Sequence, residues 1–146
     1  MTPELWSGEG LVLADTSAWV VARRVPAARK LLLTAVERGE IAWCWPVRYE
    51  LMIDARGADG IDVVDRIMEA LREIPVDRAV QRGVLAAMRE LAATQSHGAH
   101  RLPLADLAVA VAAQQSGLDV LHHDHHFDRL AAQLGIGAVW IADPSA

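Results

Sequence analysis

Leu11-Val12-Leu13-Ala14-Asp15-Thr16-Ser17-Ala18-Trp19-Val20 is the stretch on which the fold turns. Its four opening apolar residues run straight into Asp15, Thr16 and Ser17, side chains that cap a following helix, and residues 18–24 continue in helical composition. The stretch reads as a strand handing over to a helix. Working outward, Pro26 stands where a first helical turn tolerates proline, residues 27–38 carry Leu and Ala throughout, and Gly39 is the expected stop. Residues 41–45 form a second short apolar run rich in β-favouring aromatics, and Pro46 opens a helix carrying Glu50. Ile61, Val64, Met68 and Leu71 then repeat at helical spacing, with Asp62, Arg66, Glu69 and Arg72 opposite them. After the break at Ile74-Pro75-Val76, Asp77 can cap a long helix reaching toward Gly98, with Val80, Val84, Ala87, Met88 and Leu91 on one face. Pro103 introduces a helix over 104–116 that Gly117 closes. Residues 118–121 follow as a strand, 127–134 as a helix and 138–141 as a strand.

Continuous apolar strands separated by helices call for a parallel sheet covered on both faces, since a half-exposed antiparallel sheet would show alternating polar positions. The expected fold is therefore α/β, a three-layer α/β/α sandwich with a central parallel sheet. The chain's 146 residues suit one domain, which at this size can bury roughly two-thirds of its unfolded surface. Residues 1–10 read as an N-terminal extension and residues 11–146 as the domain itself, with no internal linker. At 53% hydrophobic residues and a net charge of -5, intrinsic disorder is excluded. The single cysteine, Cys44, rules out a disulfide scaffold and points to a reducing, cytoplasmic setting. The apolar run 107–113 falls far short of the roughly 18 residues a membrane span needs, so no membrane association is expected.

Four acids stand at equivalent places in this order. Asp15 follows the first strand, Glu50 lies on the helix after the second, Asp106 opens the helix after Pro103, and Asp124 follows the strand 118–121. In an open parallel sheet such positions gather at the carboxyl edge of the strands, where ligands bind. Carboxylates crowded there repel unless a divalent cation neutralises them, and Mg2+ (or Mn2+) prefers oxygen donors of this kind. Taken singly, each acid also has an ordinary reading as a helix cap or a first-turn charge. Ala110 and Ala113 continue the Asp106 face, however, leaving it free of charge and bulk.

The runs LVLADTSAWV, VRYELM, LPLADLAVAVAA and DVLHHDHHFDRLAAQLG, in this order and over nearly the whole chain, resemble the PIN domain of the VapC-type toxins. The resemblance implies a metal-dependent endoribonuclease whose metal ligands and catalytic acids are Asp15, Glu50, Asp106 and Asp124. Ser17 (or Thr16) would help to orient metal or water. It further implies the toxin of a toxin–antitoxin pair, acting on RNA as a homodimer and neutralised by a cognate antitoxin. Against it stand a catalytically weak RNA- or protein-binding module of the same fold and a phosphatase using Asp15 as nucleophile. The second usually wants another acid where Ser17 stands.

The fourth motif departs from the family's usual pattern, because His122, His123, His125 and His126 surround Asp124, with Asp128 beyond Phe127. A zinc centre is disfavoured: neighbouring residues of an extended segment face opposite ways, and the chain's other histidines are His97 and His100. The four rings are instead expected to gain positive charge together just below neutrality. Arg23, Arg24, Arg29 and Lys30 are the expected RNA contacts, and Arg78, Arg82 and Arg89 a solvated face. Trp43, Trp45 and Trp140 read as core, and Trp6 as a contact for a partner.

Overall fold

The structure, a computed structural model, describes residues 2–94 and 98–146. His97 therefore lies outside the described residues. Five strands, β1 (Val12–Ala14), β2 (Ile41–Trp43), β3 (Arg72–Glu73), β4 (Asp119–His122) and β5 (Ala138–Trp140), form one parallel sheet in the order β3-β2-β1-β4-β5. Among the described residues seven helices connect and cover them: α1 (Thr16–Ala22), α2 (Pro26–Glu37), α3 (Trp45–Ile53), α4 (Gly57–Glu69), α5 (Arg78–Thr94), α6 (Leu104–Ser116) and α7 (His126–Leu134).

The apolar strands feed two cores, because successive side chains of a strand point to opposite faces. Val12, Ala14, Ile41, Leu121 and Val139 pack with α1 and α2 on one side, whereas Leu13, Ala42 and Val120 pack with α3 to α7 on the other. The expected α/β/α sandwich is thus the observed one. Helix α6 lies deepest, with every residue from Asp106 to Ala113 buried, and its alanines let neighbouring elements approach closely. Gly83 of α5 reflects the same closeness, since a Cβ there would stand 2.5 Å from Val111 Cγ1. Gly117 ends α6 with φ at 67°, a left-handed conformation that glycine adopts at no steric cost.

Three sequence expectations change. Arg72 leaves the helix pattern and pairs as an edge strand, Ala42 opposite Arg72 and Trp43 opposite Glu73. Two exposed charged residues carry no apolar signal, and charge on an edge discourages pairing with other chains. Trp45 begins α3 rather than ending β2; it is 58% exposed and stacks on Tyr49 at 5.4 Å. Trp6 is buried in the molecule's own core, packed with the α1/α2 cluster, and so is not an exposed partner contact. The N-terminal stretch clips onto the outer side of β5: Trp6 N donates to Trp140 O at 2.8 Å and Trp140 N to Glu4 O at 2.8 Å. Gly8, at φ 87°, then passes beneath Leu31 of α2 on the way to β1.

Candidate metal centre

The chain runs from β1 outward through β2 to β3, while β4 and β5 lie on the other side of β1. A crevice at the carboxyl ends of β1 and β4 follows from that reversal, and parallel α/β sheets bind ligands there. Asp15 leaves β1 with an extended backbone and caps α1, its Oδ2 accepting from Ser17 N at 3.0 Å and Ser17 Oγ at 2.6 Å. Glu50 on α3 accepts from Thr16 Oγ1 at 2.7 Å. Asp106 occupies the first turn of α6. Asp124 follows β4 and accepts from His126 N at 2.9 Å through Oδ1. Ser17 Oγ also accepts from His123 N at 2.9 Å, so one hydroxyl ties the first acidic motif to the fourth.

Burial pushes the Asp15 carboxyl up to about 6, against the lowering pull of its two Ser17 bonds, and the negative charges of Asp106 and Glu50 push it further. Burial likewise raises Asp106, opposed chiefly by its hydrogen bond with His126. Burial is the larger cause for both acids, and the neighbouring carboxylates add to it. Asp15 Oδ1 is also buried without a hydrogen-bond partner among the described residues. An oxygen lone pair left bare in a cluster of acids is what a hard divalent cation requires, so the residues fit such an ion. Of the four acids, Asp106 and Asp124 bring donor atoms into one group, while Asp15 and Glu50 act on the crevice through their charge.

One further donor, outside the quartet read from the sequence, faces this crevice. His126 Nδ1 stands 2.6 Å from Asp106 Oδ2 and 3.6 Å from Asp124 Oδ1, and donor atoms of these three residues all lie within 4.8 Å of one another. Reading residues 122–126 as extended hid this, because His126 is the first residue of α7 and the turn before it returns the chain toward Asp106. The spacing Asp124-x-His126 at a helix start was the available signal.

The other histidines do different work, and their expected common titration fails. His122 is fully buried between Phe127 and Trp140, at ring distances of 5.1 and 4.7 Å, and burial holds it down at about 4. It is neutral at pH 7, accepting from Asp124 N at 3.2 Å through Nδ1. His123 Nε2 meets the Asp143 carbonyl at 2.9 Å, and His125 pairs with Asp128 at 3.2 Å. Asp128 also accepts from Trp140 Nε1 at 3.2 Å, so both its oxygens are engaged. Arg29 donates to the carbonyls of Ala22 and Arg23 at the end of α1 and stays exposed, as does Arg23. Arg24 and Lys30 remain exposed, as do Arg78, Arg82 and Arg89.

The sequence profile of the PIN domain matches residues 12–133, which hold all four acids and His126. The chain belongs to the PIN-domain family. Within it the chain is 35% identical over 127 residues to Ribonuclease VapC18 of Mycobacterium tuberculosis, covering 87% of this chain and 92% of that protein. It is 32% identical over 131 residues to Ribonuclease VapC51 of the same organism, covering 88% and 91%. The fold is shared with a chain of a DNA-bound VapBC structure from Salmonella typhimurium at a TM-score of 0.70 and 16% identity, covering 92% of this chain and 100% of that one. A toxin–antitoxin complex from Klebsiella pneumoniae superposes with a TM-score of 0.66, again at 16% identity, covering 90% and 98%. Among the described residues of this PIN domain no helix is long and apolar enough to cross a membrane.

Proposed function

We propose that this PIN domain is an endoribonuclease, the toxin of a toxin–antitoxin pair, which hydrolyses RNA phosphodiester bonds with Mg2+ or Mn2+ held by Asp15, Glu50, Asp106 and Asp124. The observation that carries the reading is the bare, buried Asp15 oxygen in a crevice whose acids raise one another. The substrate class follows the ribonuclease relatives, which match over nearly the full length of both chains. When bound, the cation neutralises charge developing on the phosphate and makes water a stronger acid. Ser17 fixes the Asp15 carboxylate from two atoms, and Thr16 does the same for one oxygen of Glu50. The second Glu50 oxygen is then available to take a proton from the attacking water. His123 N, held on Ser17 Oγ, keeps the Asp124 turn against β1 while substrate binds.

Incubating the purified chain with RNA tests this. Cleavage is expected with Mg2+ or Mn2+, to stop with a chelator, and to be suppressed by a cognate antitoxin; full cleavage in excess chelator would sink the reading.

A second copy of the chain is the proposed neighbour for the groove between α3, α5 and α6. Tyr49, Ile53, Leu85 and Leu104 are large apolar side chains more than half exposed along it, and Glu50 lines the same groove. Contiguous apolar surface of this kind marks an interaction site, and a partner there would wall the crevice. Sedimentation is expected to report a homodimer for the parent and a monomer for Leu85→Glu. A monomeric parent at tens of micromolar removes the proposal.

A further inference from the structure

We infer that His126 is a nitrogen ligand of the metal centre and that it tilts the centre from Mg2+ toward Mn2+; this rests on the metal reading above. A ring nitrogen of His126 and one oxygen each from Asp106 and Asp124 lie within 4.8 Å of one another, and Nδ1 itself stands 2.6 Å from Asp106 Oδ2 and 3.6 Å from Asp124 Oδ1, close enough for one ion to gather the three side chains. The backbone holds that position, because His126 N donates to Asp124 Oδ1 at 2.9 Å and the residue begins α7. The same ring nitrogen meets Asp106 Oδ2 at 2.6 Å. The neighbouring rings are committed elsewhere, His122 in the core, His123 on the Asp143 carbonyl and His125 on Asp128. His126 is therefore the ring of the cluster that joins the acids.

The consequence for the metal follows from donor chemistry. Mg2+ selects oxygen donors in near-ideal octahedral geometry and gives little for an imidazole, whereas Mn2+ and the later divalent ions accept nitrogen increasingly well. An acid quartet with one imidazole added thus favours Mn2+ more than carboxylates alone do.

Calorimetric titration of the intact chain with Mn2+ and with Mg2+, paired with pulsed electron paramagnetic resonance of the Mn2+-loaded protein, tests this. The parent is expected to show coupling of Mn2+ to a directly bound 14N nucleus. His126→Asp, which puts an oxygen donor in the ring's place, is expected to lose that coupling and to lower the preference for Mn2+ over Mg2+ by about tenfold or more. His126→Asn serves as the second variant, and the spectrum of the parent needs neither. Absence of 14N coupling in a parent that binds Mn2+, or its survival in His126→Asp, overturns the inference while leaving the metal reading standing. A parent that binds neither ion fails the metal reading itself, and the inference with it.

Discussion

Asp106→Asn is expected to lower RNA cleavage by about a thousandfold at saturating metal, a loss of about 4 kcal/mol of transition-state stabilisation. Asparagine has nearly the shape of aspartate and can still accept from His126, so what disappears is charge. That charge would serve as an oxygen donor to the cation, which when bound supplies neutralisation of the charge developing on the phosphate. Folding is expected to survive, because burial already disfavours the ionised Asp106 in the metal-free protein. A quench-flow or gel assay on a defined RNA, with circular dichroism as the control for folding, measures both. A folded variant that cleaves within tenfold of the parent removes Asp106 from the catalytic set.

Asp15→Asn is expected to abolish cleavage and, in chelator, to stabilise the protein at neutral pH. The Asp15 carboxyl is held at about 6 in the folded chain, against an ordinary value near 4 in the unfolded one. The folded state therefore binds this proton more tightly. The stability that Asp15 contributes is fully present below pH 4 and is lost as pH rises through 6, about 3 kcal/mol in all at 1.36 kcal/mol per pH unit. The substituted asparagine does not ionise, and its side-chain oxygen can still accept from Ser17. In urea denaturation with chelator, the variant should gain about 2 to 3 kcal/mol on the parent between pH 4 and pH 7.5. Divalent metal should erase that difference by stabilising the parent alone. A difference that stays constant with pH would mean that Asp15 is not held up by burial. Acids remote from the crevice affect both proteins alike and cancel in the comparison.

These two residues also mark how much the sequence discloses. Strand runs of three or four apolar residues, each handing over to a capped or proline-opened helix, are local signals, and they state the parallel sheet because such runs are stable only between two helical layers. Asp15, Glu50, Asp106 and Asp124 were legible for the same reason, since their places relative to strand ends imply one edge of the sheet. Trp45 and Trp6 were not, because composition cannot tell an aromatic that closes a strand from one that opens a helix, nor a free terminus from one clipped to β5 by two backbone bonds.

By itself the sequence determined the layer order, the edge on which the acids stand and the family resemblance, because these depend on periodicity, caps and the order of motifs. Only the tertiary structure decided what the histidines do. Five consecutive residues, His122 to His126, send one ring into the core, one to a carbonyl, one to Asp128 and one to Asp106. The reason is physical: α7 begins within that run and turns successive side chains in directions that an extended segment does not. The partners that separate them, Trp140 and Phe127 for His122, Asp143 for His123 and Asp106 for His126, include residues about 20 positions away that only the folded sheet brings near.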